Sequence, residues 1–127
     1  MTHRKSEVKI VEYLVHGEPN RDYFERPPFV ARINSLTLSD LPDFILIGVH
    51  IRPASAEAEL NNLVRVYEDM KDYFGINRAL LLGDFNADCS YLSNRAFNRH
   101  NLTADNRFTW LIDEDTTVAT SSCAYDR

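Results

Sequence analysis

The sequence predicts a mixed α/β domain, because a strand, a helix and a second strand follow one another in the middle of the chain. Phe44–His50 (FILIGVH) is an almost continuous apolar run, which is typical of a strand buried on both faces. From residue 54 the apolar residues recur at steps of three and four, which predicts a helix that ends at Gly75. Residues 79–83 (ALLLG) form a second short apolar strand. The helix is long enough for a crossover, so we expect the two strands to be parallel neighbours with a right-handed connection.

Further strands are expected on both sides of this unit. Val8–Val15 and residues 29–36 are apolar with partial alternation, and residues 108–112 (FTWLI) predict one more strand. Ser55 is a suitable N-cap for the helix. Segments rich in Gly, Pro, Asn, Asp, Ser or Thr predict loops at residues 16–28, 84–107 and 113–122.

Length and composition limit the classes of protein to which the chain can belong. Its 127 residues suffice for one domain and not for two. Fourteen Lys and Arg against nineteen Asp and Glu give a net charge of −5, which on its own disfavours binding to nucleic-acid phosphates. No apolar run approaches the length of a membrane span. Residues 1–12 are polar and lack the apolar centre of a signal peptide.

Polar side chains collect where the two central strands end. His50 ends the first strand and Asp84 follows the second, so both belong to the carboxyl edge of the sheet, where open α/β sheets bind ligands. His50 could act as a general acid or base, or it could be an ordinary strand-end histidine held by a backbone hydrogen bond. Asp84, Asn86 and Asp88 form an oxygen-rich cluster that suits Mg²⁺, Mn²⁺ or Ca²⁺. The same three residues are equally typical of an Asx-rich turn.

Two other groups of residues leave alternatives open on the residues alone. Cys89 and Cys123 are either two separate reduced thiols or one disulfide, and a disulfide would imply an oxidising compartment. Residues 113–117 (DEDTT) are either an oxygen cluster of the calcium type or a solvated acidic loop.

A nine-residue motif, GDFNADCSY at residues 83–91, resembles the GDFNA-x-CSY signature of the deoxyribonuclease I family, within the endonuclease/exonuclease/phosphatase superfamily. This resemblance implies a four-layer α/β sandwich, with two β-sheets flanked by helices. The chain resembles the central part of the family only, so we expect residues 1–127 to form an incomplete domain. Further segments match the family in order: residues 24–30 (FERPPFV), 49–53 (VHIRP), 58–67, 108–112, 115–117 and 123–127 (CAYDR).

The resemblance implies catalytic roles for four residues. His50 resembles one of the family's two catalytic histidines, which perform acid–base chemistry on a phosphodiester. Asp84 and Asn86 resemble the residues that hold the scissile phosphate, the attacking water and a divalent metal, Mg²⁺ or Mn²⁺. Asp126 resembles the carboxylate that orients the second histidine. The implied substrate is DNA, and an acidic enzyme that recruits divalent cations can approach phosphates in spite of its net charge.

Binding and structural roles follow from the same resemblance. Contacts to the DNA backbone or minor groove are implied for Arg26, Tyr91 and Tyr125. Asp115 and Thr117 resemble ligands of a structural Ca²⁺ ion. Cys89 and Cys123 resemble the family's structural disulfide.

The resemblance also sets expectations about how this chain behaves. The family's metal-binding glutamate and its second catalytic histidine lie in parts that the chain lacks, so we expect the chain alone to be close to inactive and to expose a sheet edge. Family members point to a secretory location, whereas the missing signal peptide points to an intracellular one. The alternatives to a DNA endonuclease are a non-catalytic truncated isoform or binding module and, with less support, a superfamily phosphatase. No membrane contact or obligate protein partner is expected.

Overall fold

The computed structural model describes residues 3–17, 23–87 and 92–112. Within them the chain forms four strands, one long helix and three short helical turns. The strands are β1 (Val8–Val15), β2 (Phe29–Ser35), β3 (Phe44–His50) and β4 (Ala79–Asp84). The helices are a 3₁₀ turn (Pro53–Ser55), α1 (Ala56–Phe74), α2 (Asn94–Phe97) and α3 (Asn101–Ala104).

The four strands form one sheet in the order β1-β2-β3-β4. The pairs β1–β2 and β2–β3 are antiparallel, and β3–β4 is parallel. Helix α1 connects the parallel pair, so the predicted strand–helix–strand unit is confirmed. The mixed α/β class is confirmed as well, and a sheet carrying a packed helix is what a part of the expected sandwich should contain.

Helix α1 packs its apolar face on one face of the sheet, and this contact contains most of the core. Along β3 only alternate residues are buried, so the expectation of a strand buried on both faces is wrong. Gly75 ends the helix with a φ of 66°, the left-handed conformation that glycine adopts without strain. The most deeply buried large side chains lie at this contact: Val30, Ile45, Ile47, Ile51, Leu60, Leu63 and Val66.

The segment after β4 differs most from the sequence-based expectations. Residues 84–107 contain the short helices α2 and α3 rather than loop alone, and residues 108–112 are not a strand. The aromatic side chains of this segment pack inward instead of pairing in a ladder. The Trp110 ring lies 4.9 Å from that of Phe97 and 5.8 Å from that of Phe85, and Phe108 contacts Tyr67 at 5.1 Å. Phe108 and Trp110 therefore pack against the core from an irregular segment, whereas Leu111 and Ile112 are exposed.

None of the helices in the described ranges is both long and apolar enough to span a membrane.

Candidate active site at the carboxyl edge of the sheet

The parallel register of β3 and β4 places His50 directly beside Asp84. Nε2 of His50 lies 3.7 Å from Oδ2 of Asp84, a distance suited to an ion pair when the imidazole is protonated. Both side chains remain accessible, with 56% of the His50 side chain and 37% of the Asp84 side chain exposed. A substrate can therefore reach an imidazole and a carboxylate that already lie side by side.

Gly83 permits the close approach of the two strands just before this pair. Its φ is 137°, and a Cβ atom at this position would lie 1.9 Å from the carbonyl oxygen of Val49. Any side chain would push β4 away from β3 at the residue before Asp84. The glycine of the GDFN motif is thus a geometric requirement for the site.

Asn86 fixes both the carboxylate and the backbone beyond His50. Its backbone N–H donates to Oδ1 of Asp84 at 3.0 Å, and its side-chain Nδ2 donates to the carbonyl oxygen of Ile51 at 2.8 Å. The residue is buried and has a φ of 46°, in the left-handed region that asparagine tolerates better than most residues. The first of these bonds is an Asx turn. The turn suggested by the sequence is therefore present, and it orients the carboxylate.

The oxygen atoms left over at this edge suit a hard divalent cation. The hydrogen bonds above use Oδ1 of Asp84 and Nδ2 of Asn86. They leave the amide oxygen of Asn86 and Oδ2 of Asp84, the oxygen that also faces His50, as acceptors. Magnesium is commonly held by one or two carboxylates together with waters and phosphate oxygens, and this donor set fits that pattern. Across the three described ranges there is no group of three or more His, Cys, Asp or Glu side chains that could hold a metal ion.

Glu59 is a site-adjacent residue that the sequence analysis did not single out. It lies in the first turns of α1 with only 2% of its surface exposed. Its carboxylate accepts from the backbone N–H of Arg52 at 2.9 Å and from that of Glu25 at 3.0 Å. The sequence gives one indication that Glu59 has a special role. It lies one turn before Leu63, on the apolar face of the helix, where a charged residue is unusual.

Arg26 lies on the segment between residue 23 and β2, and it is exposed. The neighbouring Glu25 carboxylate lies 3.4 Å from the Arg52 guanidinium, and Arg52 is two residues beyond His50. The Arg26 segment is therefore attached to the strand end that carries His50 through both Glu59 and this ion pair.

His100 is the one buried histidine among the described residues, and its contacts are structural. Its side chain accepts from the backbone N–H of Thr103 at 3.3 Å at the start of α3, and its ring packs near Phe97 and Trp110. Burial lowers the pKa of His100 below its ordinary value. It is neutral at physiological pH and lies outside the edge formed by His50 and Asp84.

The remaining predicted site residues lie outside the described residues, and their roles stay predictions. They are Asp88, Cys89, Tyr91, Asp115, Thr117, Cys123, Tyr125 and Asp126.

Comparison with known proteins gives sequence relatives that cover most of this chain. No protein-family model matches it. Deoxyribonuclease-1 of Gallus gallus is 40% identical over 108 residues, which are 84% of this chain and 38% of that protein. Deoxyribonuclease gamma of Homo sapiens is 40% identical over 118 residues, or 91% of this chain and 38% of that protein. Deoxyribonuclease-1-like 2 of Homo sapiens is 37% identical over 98% of this chain and 48% of its own length.

Two solved structures are also similar to the described fold. One is a functionally unknown conserved protein from Enterococcus faecalis, with a TM-score of 0.48 and 21% identity over 69% of this chain and 38% of that one. The other is an endonuclease/exonuclease/phosphatase family protein from Bacteroides thetaiotaomicron, with a TM-score of 0.45 and 21% identity over 76% of this chain and 37% of that one.

The resemblance inferred from the motifs is thereby confirmed by the sequence relatives, which are deoxyribonucleases. The chain spans less than half the length of each of these curated relatives.

Proposed function

We propose that this chain, a homologue of part of the deoxyribonuclease I family, contributes His50, Asp84 and Asn86 to a site that hydrolyses phosphodiester bonds of DNA with the help of a divalent cation. The observation that carries the proposal is the His50–Asp84 pair in register at the carboxyl edge of the sheet, with Asn86 bonded to the carboxylate. The names of the sequence relatives support DNA as the substrate.

Hydrolysis of a phosphodiester needs in-line attack by water, stabilisation of charge on the phosphoryl oxygens and a proton for the leaving oxygen. His50 is half-exposed and can exchange a proton with water or with the leaving oxygen through Nε2. Oδ2 of Asp84 lies 3.7 Å from this nitrogen, so the carboxylate and the imidazole can act on the same substrate. The Asn86 backbone N–H restrains the carboxylate so that little reorganisation is needed during the reaction.

Asp84 and Asn86 would hold the divalent cation, Mg²⁺ or Mn²⁺, through the oxygens left free by the bonds described above. When bound, such an ion lowers the pKa of its water and neutralises charge on the phosphate. Asp84 is therefore shared between the imidazole and the cation site, so its loss should impair both.

The remaining roles in this proposal come from the family resemblance. Arg26, Tyr91 and Tyr125 would contact DNA, and Asp126 would orient a second histidine. Asp115 and Thr117 would bind a structural Ca²⁺ ion. Cys89 and Cys123 would form a disulfide, which fits a secretory location.

A second candidate is a non-catalytic module with the same fold. It is one of the alternatives to an endonuclease given above. A cooperating site loses most of its rate when one member is missing, so part of a site can bind without turnover.

A plasmid-nicking assay separates the two candidates. The 127-residue chain is compared with a chimera in which the aligned part of Gallus gallus deoxyribonuclease-1 is replaced by the aligned residues of this chain. We expect the chimera to nick supercoiled DNA with Mg²⁺ and Ca²⁺, EDTA to abolish nicking, and the chain alone to be far slower. A folded chimera that does not nick DNA would overturn the proposal. Rapid nicking by the chain alone, lost in His50→Ala, would exclude the non-catalytic module.

A further inference from the structure

We propose that Glu59 is a positioning residue, which holds the strand end that carries His50 and the segment that carries Arg26 in one fixed arrangement. The proposal rests on the proposed function for its catalytic meaning, and on contacts of the described residues for its physical basis. Glu59 is almost completely buried, yet among the described ion pairs none involves its carboxylate.

Neutral hydrogen-bond donors saturate this buried carboxylate in place of a cation. Oε1 accepts from the backbone N–H of Glu25 and from the Ser55 hydroxyl, each at 3.0 Å. Oε2 accepts from the backbone N–H of Arg52 at 2.9 Å. The position near the N-terminus of α1 adds the favourable field of the helix dipole. Burying a charge is costly, and these donors offset the cost.

The Arg52 bond completes a set of restraints on the residues that follow His50. Ile51 donates its N–H to the Asp84 carbonyl oxygen at 2.8 Å and accepts from Asn86 at its own carbonyl oxygen. Arg52 then donates its N–H to Glu59. Both restraints act on the peptide units directly after His50, and peptide units are rigid. The position of the imidazole therefore depends on Glu59 as well as on β4.

The Glu25 bond attaches a second functional segment to the same carboxylate. This segment has no regular secondary structure, so its N–H groups depend on side-chain or solvent acceptors. Glu59 supplies such an acceptor at the residue before Arg26. One carboxylate thus connects the proposed acid–base residue with the proposed DNA-contacting arginine.

Glu59 differs in this respect from an ordinary core residue of α1. Leu60 and Leu63 are equally buried and contribute to global stability through apolar contacts. A leucine at residue 59 would bury as much surface but would leave the N–H groups of Glu25 and Arg52 without their acceptor. Loss of Glu59 should therefore act locally on the two attached segments before it acts on the whole fold.

The test is amide hydrogen exchange, measured by NMR on the 127-residue chain and its variants well below the unfolding temperature. In the wild-type chain we expect the Glu25 and Arg52 amides to be protected at least about 100-fold relative to exposed amides. In Glu59→Gln, one oxygen becomes an NH₂ donor that faces another donor. These two amides should then exchange about tenfold faster or more, while amides paired between β1 and β2 keep their rates.

Glu57→Gln is the matched control, because it makes the same change on the same helix at an exposed position. Ser55→Ala removes only the hydroxyl donor and should leave both amides protected. Unprotected Glu25 and Arg52 amides in the wild-type chain would overturn the proposal, even if Glu59→Gln does not fold. Equal exchange in Glu59→Gln and Glu57→Gln, or acceleration throughout the sheet, would overturn it as well.

Nicking kinetics in the chimera supply the catalytic measurement. We expect Glu59→Gln to lower kcat about tenfold or more relative to Glu57→Gln at a temperature where both are folded. Unchanged kcat in an active chimera would overturn the positioning role. If the chimera is inactive, the proposed function fails, and the exchange measurements decide separately whether Glu59 holds the two segments.

Discussion

Strand β4 has a polar carboxyl end and an exposed apolar side, formed by Leu80 and Leu82, that we call its outer edge. The two regions are built differently. At its carboxyl end, Asp84 is bonded to Asn86 and lies beside His50. Along its length, Leu80 and Leu82 are 39% and 41% exposed, and a cavity of about 540 Å³ separates β4 from residues 107–112. The cavity is lined mainly by apolar side chains, and the indole Nε1 of Trp110, which also lines it, is buried with no hydrogen-bond partner among the described residues.

The difference shows which contacts order the site. Asp84, Asn86 and Ile51 are held by one another and by β3, and none of these bonds involves the outer edge of β4. Changes where β3 meets β4 should therefore damage both the fold and the site. Changes on the outer edge should leave the site intact.

The largest effect is expected for Gly83→Ala, since the new Cβ would collide with the backbone of Val49. We expect a loss of about 3–5 kcal/mol in the free energy of unfolding, measured by urea denaturation. The matched control is Gly48→Ala in the adjacent strand, where the nearest atom to a Cβ is the Phe29 carbonyl oxygen at an ordinary 3.8 Å. A control as damaging as Gly83→Ala would show that close approach at Gly83 is not the cause.

A truncation in the core should come next. Leu63 is fully buried between α1 and the sheet, and Leu63→Ala should cost about 2–5 kcal/mol. Leu82→Ala removes the same atoms from the exposed outer edge and should cost less than about 1 kcal/mol. Chemical denaturation of both variants measures the contrast. Equal losses would mean that the outer edge of β4 is packed as tightly as the core.

The parts of the fold that the sequence predicts are those set by local pattern. The apolar run of β3, the helical period of α1 and the stop at Gly75 are local, and together they predict that His50 and Asp84 meet. The strand predicted at residues 108–112 is absent, because a short apolar run does not distinguish a strand from aromatic side chains that pack against the core.

Glu59 could not be assigned from the sequence for a related reason. Its donors come from Glu25 and Arg52, which lie 34 and 7 residues away and become neighbours only in the folded chain. A charged residue on an apolar helix face signals that some partner exists, but the identity of that partner depends on tertiary structure.

A smaller effect is expected at Asn86. Asn86→Ala leaves the Ile51 carbonyl without its donor and places a Cβ-bearing residue without a polar side chain at a φ of 46°. The expected loss is about 2–3 kcal/mol. Asn86→Gly loses the same donor without the backbone strain, so it should be about 1 kcal/mol more stable than Asn86→Ala. If the two variants are equally stable in denaturation experiments, the left-handed conformation does not limit this position.

The smallest effect concerns the pH dependence of stability. Because burial lowers the pKa of His100 below 6.5, the unfolded chain binds a proton there at pH values where the folded chain does not. The free energy of unfolding should therefore decrease as the pH falls below 6.5, with a contribution from this group of at most about 1.4 kcal/mol per pH unit. His100→Asn keeps an acceptor for α3 and should flatten this decrease. Parallel curves for the two proteins would contradict the assignment.

The most direct test of the account is a double-mutant cycle on His50 and Asp84, measured as metal-dependent nicking by the chimera. If the two side chains act as one unit, His50→Ala and Asp84→Asn each remove most of the rate. The double variant should then be no slower than the slower single variant. Losses that multiply would show that the two residues act independently, and unchanged rates in both single variants would show that this edge is not the active site.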